Sequence, residues 1–385
     1  MNHTYKKRRT VVTSFALMTP WGNDKNLIWS MLTAGKSSVR EWPDLKEEGF
    51  RFTKACRIAD DKTISSLARG SWLAKTTLHN ALAGSSVSFP DHTGIFIGST
   101  LGESGAFEAM AGGAELNPAD YTVNSFARLI QKELGLKGPS FSYGTACAAG
   151  NYALGAAASY ISNGHADVAI AGGIEPFSRV AMTGFSRSRA MTTNICRPFD
   201  RNRDGMMLGE GAAVFILEEE EHALQRGAKP LAIIGALGLS CDAYHQTAPL
   251  PDGTGIIQAM TTALTIEDVD ARKVDWICAH GSGTMASDNA EALAINTVFG
   301  ADVPVSGIKG ALGHSLGAST AIETAVCIMA LQHNVIPPTA NLEEPDPQFA
   351  IDLVRASRQK ELNYILNCGY AFGGLNSALF IKKWK

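Results

Sequence analysis

Along this chain, short apolar runs alternate with longer stretches whose apolar positions recur at helical spacing. The runs predict strands at residues 10–13, 93–98, 167–171, 212–217, 231–239, 274–278, 303–306, 364–368 and 378–381. The helical stretches fall at residues 23–32, closed by Gly35, at 63–82, and at 125–134, ending at Gly135. A further helix follows the loop around Cys147 and stops at Asn163-Gly164. Alternation of this kind, with strands apolar on both faces, implies an α/β protein with mostly buried sheets.

The pattern also contains an internal echo. Cys147 leads a helix of small residues, 150–161, and His314 leads another, 317–331. Each is preceded by a glycine-bearing loop and followed by a polar stop, Asn163-Gly164 in one case and His333-Asn334 in the other. Helices this rich in Ala and Gly permit close backbone approach, so both are expected in the interior. Two related halves are therefore expected, residues 1–240 carrying Cys147 and residues 241–385 carrying the two histidines introduced below.

Composition narrows the class. The 385 residues are 45% hydrophobic and 18% charged, enough apolar material for a core buried on several sides. A net charge of -3 leaves no electrostatic footprint for nucleic acid. The quartet Lys6-Lys7-Arg8-Arg9 is followed by a strand pattern and not by a signal-peptide apolar region, and no apolar run is long enough to span a membrane. Seven cysteines without a C-x-x-C pair argue against a disulfide framework and a zinc site. These features imply a protein of the reducing cytoplasm with no metal.

Three residues stand out chemically. Cys147 lies in Gly144-Thr145-Ala146-Cys147-Ala148-Ala149-Gly150, with nothing bulky beside it and a helix start where free N–H groups favour a thiolate. The same N–H groups suit an oxyanion. His280 in His-Gly-Ser-Gly-Thr and His314 in Lys-Gly-Ala-Leu-Gly-His each follow an apolar segment and adjoin glycine. Taken singly, either histidine is as well explained by a turn. Two look-alikes fail. Ala34-Gly35-Lys36-Ser37 lacks the earlier glycine of a phosphate loop, since Ser30 stands there. Gly313-His314-Ser315-Leu316-Gly317 fits a serine-nucleophile elbow, but His333 would lie about 27 Å along the same helix.

These motifs, with Arg197-Pro198-Phe199-Asp200, Arg203-Asp204-Gly205, Gly209-Glu210-Gly211, Lys309 and Phe372-Gly373-Gly374, occur in one order over almost the whole chain. On them the sequence resembles the β-ketoacyl-acyl-carrier-protein synthases, the elongating condensing enzymes of fatty-acid and polyketide assembly. The resemblance implies the thiolase fold, two duplicated halves in a five-layered α-β-α-β-α sandwich, and a dimer. It implies that Cys147 takes the acyl group, with the N–H groups of Cys147 and Phe372 holding the oxyanion. His280 and His314 would stabilise the enolate left when malonyl-carrier protein loses CO2. Lys309, paired with Glu291, would set the state of His314, and Ser282 and Thr284 would contact the pantetheine arm. The acyl carrier protein is the implied partner, and no cofactor beyond its phosphopantetheine is implied. For Arg203, Asp204 and Glu210 a loop-fixing role suffices.

The chain departs from that family at Leu375, usually Thr, and at Ser282-Gly283, usually Thr-Ser. Cys278 and Cys368 stand where many relatives place Asn of a monovalent-cation site, so no bound cation is expected and Glu323 would need another partner. The segments at 102–124 and 192–196 are short, which leaves a specialised polyene or polyketide pathway as plausible as fatty-acid synthesis. A CoA-dependent thiolase, with Cys368 as second cysteine, is the rival in the same fold. The catalytic or the chain-length subunit of a heterodimer is the other, and Cys147 speaks against the latter.

Overall fold

The computed structural model describes residues 8–59, 68–118 and 121–385. Lys6 and Lys7 of the basic quartet and residues 63–67 of the expected helix 63–82 lie outside the described residues. The eleven strands of the main sheet are β1 (Thr10–Met18), β2 (Gly94–Gly98), β3 (Ser140–Tyr143), β4 (Val168–Glu175), β5 (Gly211–Glu219), β6 (Ala232–Cys241), β7 (Trp276–Cys278), β8 (Pro304–Ser306), β9 (Asp352–Leu353), β10 (Tyr364–Ala371) and β11 (Leu375–Lys382). The main helices are α1 (Lys25–Thr33), α2 (Arg69–Leu82), α3 (Ser125–Glu133), α4 (Ala149–Ser162), α5 (Arg179–Arg187), α6 (Thr254–Glu267), α7 (Met285–Phe299) and α8 (Ser319–His333).

The strand order is β9-β8-β7-β10-β11-β6-β1-β5-β4-β2-β3. Outward from the β1–β6 contact, one side reads β1, β5, β4, β2, β3 and the other β6, β11, β10, β7, β8. With the edge strand β9 set aside, each is first, fifth, fourth, second and third strand of its own set. The directions repeat as well: second pairs parallel with third and fourth, while fourth–fifth and fifth–first are antiparallel. β1 and β6 touch over only Thr10–Val12 and Ala232–Ile234, so the two sets can diverge and enclose a layer between them.

That layer is α4 and α8, which contact each other and strands of both sets. α2 and α3 cover the outer face of the first set, and α6 with α7 the outer face of the second. This is the five-layered α-β-α-β-α arrangement of the thiolase fold. Every residue of α8 from Ser319 to Leu331 is buried, as a helix between two sheets requires. Its Ala positions keep it slim, and Gly150 of α4 meets it so closely that a Cβ there would lie 2.5 Å from the Ala321 nitrogen.

Several elements differ from the sequence pattern. β1 runs on to Met18, with a register shift between Val12 and Ser14 that keeps its later residues paired to β5. β3, α6 and α7 carried little signal. β3 is a half-exposed edge strand, and α7 places polar Asp288 and Glu291 on its buried face and Met285 and Leu293 on its exposed one, which hides its period. Among the described residues no helix is long and apolar enough to cross a membrane.

Candidate active site

The chemistry-bearing loops leave the carboxyl ends of β2, β3, β7 and β8, the parallel strands of each set, so the two halves present them toward one another. Cys147 follows β3 in a single 3₁₀ turn, Ala146–Ala148, that leads into α4. Ala146 adopts φ 46°, a left-handed conformation that turns the chain sharply before the cysteine. Gly98 at the end of β2 makes room for it, since a Cβ there would sit 2.5 Å from the Ala149 carbonyl carbon. His280 follows β7, and His314 follows the short helix Lys309–Leu312.

Cys147, His280 and His314 line one cavity of about 300 Å³, together with Ser282, Thr284 and Phe372. All three reactive side chains are buried, and the imidazole rings stand edge to face with centroids 5.4 Å apart. Phe372 opens the Phe372–Gly374 turn after β10 and leans on Phe185 of α5 at 5.4 Å. The backbone N–H groups of Cys147 and Phe372 both act on the sulfur as donors, and each lowers its pKa. Ser282 and Thr284 hydroxyls lie 2.9 Å apart on the cavity wall.

Burial dominates the electrostatics. It pushes the Cys147 thiol up to about 12, and Lys309 with the two N–H donors recovers only part of this. The expected resting thiolate is therefore corrected to a thiol. The sulfur is buried on the cavity wall, and α4 proper begins only at Ala149, two residues on. Burial, then Lys309, holds His280 and His314 well below the usual imidazole range, so both are neutral at pH 7. The Leu316 N–H donates to His314 Nδ1 at 3.2 Å, so the ring proton resides on Nε2.

The expected Lys309–Glu291 pair is also corrected. Lys309 Nζ donates to Glu323 and to the His280 carbonyl, the latter at 2.6 Å. Burial alone would lower Lys309, but Glu323 keeps the ammonium above its usual value. Glu291 is unavailable because its two oxygens accept the N–H groups of His280 (2.7 Å) and Gly281 (2.8 Å). It therefore fixes the His280 loop and reaches Lys309 only through space. Asp288 secures the neighbouring turns, accepting from Phe199 N (2.8 Å) and Gly283 N (3.1 Å).

Arg203 bonds Asp346 and the Asp200 carbonyl, and Glu210 bonds Arg69 and Ile58 N, so both fix loops. Asp204 instead lines the cavity wall. Arg69 is thereby drawn inward, and Lys75 pairs with Glu133 at the surface. Cys368 is fully buried on β10 and is not part of the cavity wall, which disfavours the thiolase reading. Ser315 bonds Ser319, while His333 stacks on Trp29 at the far end of α8, so the serine elbow is excluded. Among the described residues no cluster of His, Cys, Asp or Glu could hold a metal.

Two residues of the site carried no sequence motif. Glu175 at the end of β4 accepts from Thr100 N (2.6 Å), Leu101 N (2.9 Å) and Gly317 N (2.9 Å), tying the β2 loop to the loop after His314. A carboxylate ending an otherwise apolar, glycine-bearing strand was the available signal. Ser319 lies 2.9 Å from His314 Nδ1, and nothing in the sequence pointed to it.

Fold and site are those of an acyl-transferring condensing enzyme of the thiolase fold, with a thiol, two imidazoles and two backbone N–H donors around a single cavity. Residues 72–223 match the model of the beta-ketoacyl synthase N-terminal domain, and residues 231–343 that of the C-terminal domain. The chain is 33% identical to 3-oxoacyl-[acyl-carrier-protein] synthase 2 of Rhizobium meliloti (strain 1021), over 98% of this chain and 99% of that protein. It is 33% identical to the tetracenomycin polyketide synthase ketoacyl synthase alpha subunit of Streptomyces glaucescens, over 99% of this chain and 98% of the other. The solved ishigamide ketosynthase/chain length factor superimposes with a TM-score of 0.92 at 32% identity, covering 98% of this chain and 100% of that one. The chain belongs to the beta-ketoacyl synthase family.

Proposed function

We propose that this protein is a β-ketoacyl-acyl-carrier-protein synthase that elongates a fatty-acid, polyene or polyketide chain. Cys147 attacks the thioester of an acyl group on carrier-protein phosphopantetheine. A carbon–sulfur bond forms at Cys147, the bond to pantetheine breaks, and the cysteine proton passes to the departing thiol. Malonyl-carrier protein then enters, with Ser282 and Thr284 offering hydroxyls to the pantetheine amides. Its carbon–carboxylate bond breaks, CO2 leaves, and the electron pair becomes an enolate held by N–H donors of His280 and His314. The enolate carbon attacks the Cys147 thioester while the N–H groups of Cys147 and Phe372 hold the oxyanion. The β-ketoacyl product departs on the carrier, and Cys147 takes up one proton.

The observation that carries this reading is the single cavity shared by Cys147, His280 and His314. Neutral imidazoles suit enolate stabilisation better than base catalysis, and Lys309 helps to keep them neutral. Glu291 acts by anchoring the His280 loop. The reaction needs no cofactor or metal of this chain's own. A carrier-protein substrate is supported by the likeness to the Rhizobium 3-oxoacyl-[acyl-carrier-protein] synthase 2. A second reading, the catalytic half of a heterodimer, is favoured by the likeness to a ketosynthase/chain length factor, with a homodimer as the alternative. Seven free cysteines fit a cytoplasmic location. The expected division at residues 240 and 241 falls within β6 (Ala232–Cys241), the first strand of the second set, so the two halves are proposed to meet between β5 and β6.

Intact-protein mass spectrometry after incubation with acyl-carrier protein tests the first step. An adduct on Cys147 is expected, absent from Cys147→Ala and discharged by malonyl-carrier protein. An adduct elsewhere, or none with any acyl donor, would overturn the mechanism. His280→Ala and His314→Ala should still acylate yet release little CO2. Wild-type decarboxylation in either would remove its assigned role.

A further inference from the structure

His314 must be neutral, with its proton on Nε2, to donate into the cavity. Its Nδ1 is held by two groups: the Leu316 N–H at 3.2 Å and the Ser319 hydroxyl at 2.9 Å. The backbone donor is the longer contact and depends on Leu316 staying at φ 43°, a left-handed conformation costly for leucine. The hydroxyl comes from the first residue of α8 and rests on a fully buried helix. Ser315 Oγ lies 3.3 Å from Ser319 Oγ, so a proton donated from Ser315 leaves Ser319 free to point its own at Nδ1. All three side chains are buried.

We propose that Ser319 is a positioning residue of the decarboxylation step. Its hydroxyl donates to His314 Nδ1, selects the Nε2–H tautomer and aims that N–H at the enolate oxygen. Ser315 orients the hydroxyl from behind. The inference rests on the enolate-stabilising role given to His314, and deepens it. Other groups facing His314 are Lys309 from the short helix, His280 after β7, Cys147 on the 3₁₀ turn and Cys56 packed against Gly313. Glu175 accepts from Gly317 N, and Glu323 pairs with Lys309. None of these contacts involves the Ser319 side chain.

The test compares Ser319→Thr with Ser319→Val, which share a shape and differ in the hydroxyl. Radiolabelled CO2 release from malonyl-carrier protein is measured beside acyl-adduct formation on Cys147. Ser319→Val should release CO2 about two- to tenfold more slowly, the worth of one hydrogen bond. Ser319→Thr should restore most of the rate, and both should acylate normally, which certifies the fold. Removing a donor to the neutral ring makes it easier to protonate, so the acid limb of the Ser319→Val rate should move up by about 0.4 to 1 pH unit. Equal rates and acid limbs for Thr and Val variants would overturn the proposal, as would equal slowing of both. Undiminished CO2 release in His314→Ala would instead remove the underlying role of His314. If His314→Ala fails to release CO2 while Ser319→Val matches Ser319→Thr, only the Ser319 proposal falls.

Discussion

The loops that carry Cys147 and His314 are the same backbone device built twice. Thr145 and Ser315 have nearly identical dihedrals, φ -87°, ψ 41° and φ -88°, ψ 34°. Ala146 and Leu316 then both enter the left-handed region, a 3₁₀ turn follows, and α4 and α8 begin at Ala149 and Ser319. Superposed this way, the counterpart of Cys147 is Gly317, and His314 lies three residues earlier. The difference teaches what each copy does. At the first loop the sharp turn lifts a thiol into the cavity. At the second no side chain is tolerated at the tip, because a Cβ on Gly317 would meet Thr100 N at 2.6 Å and Glu175 Oε2 at 2.8 Å. The imidazole therefore comes from the approach to the turn, and the tip serves as an anchor for Glu175.

The largest expected break in this comparison is electrical, because Lys309 and Glu323 support the second loop with charges that the first lacks. Lys309→Met should cost about 3–5 kcal/mol in urea denaturation, since it strands a buried carboxylate. Adding Glu323→Leu should return much of that stability. A loss under about 1 kcal/mol in the single variant would mean the pair is not held as buried charges.

Next is the tip itself. Gly317→Ala must push backbone aside and should cost about 1–3 kcal/mol or more. Cys147→Ala, at the matching position, removes one buried sulfur and should cost about 1 kcal/mol. Equal costs in the same denaturation assay would break the contrast between the two tips.

Titration separates the loops further. With its thiol pushed up to about 12, Cys147 should alkylate with iodoacetamide at a rate rising about tenfold per pH unit from 7 to 9, without levelling. A plateau below pH 8 would mean a preformed thiolate. His314 on the second loop and His280 beside it, after β7, both titrate well below 6.5 in the folded chain. The unfolded chain binds those protons first, so their contribution to stability is present above about 6.5 and fades as pH falls below it. CO2 release should accordingly be level from pH 7.5 down to 6.5. The smallest effect belongs to Ala146→Gly, where relief of the left-handed strain and the flexibility of glycine nearly cancel, within about 1 kcal/mol. Thermal melts of the variant check it.

Much of this was legible in the chain. Apolar runs marked most strands, small-residue helices marked the interior layer, and glycine-flanked Cys147, His280 and His314 marked the chemistry. These follow from local rules, since burial on two faces, close approach and sharp turns each demand particular residue types. The pairing partners did not follow. Lys309 meets Glu323 instead of Glu291, and Ser319 meets His314, because the contacts depend on how a short helix and α8 pack. The state of the sulfur was also misread, since a helix start favours a thiolate only where burial does not exceed it.

The amino-acid order by itself determined most of the elements, the twofold repetition and the identity of the reactive groups, all of which rest on spacing and residue chemistry. Only the tertiary structure decided which charges pair, which ring nitrogen carries the proton and whether the thiol is ionised. Those depend on distances of a few ångströms between segments far apart in the chain, and on the water excluded when two sheets close over one layer of helices.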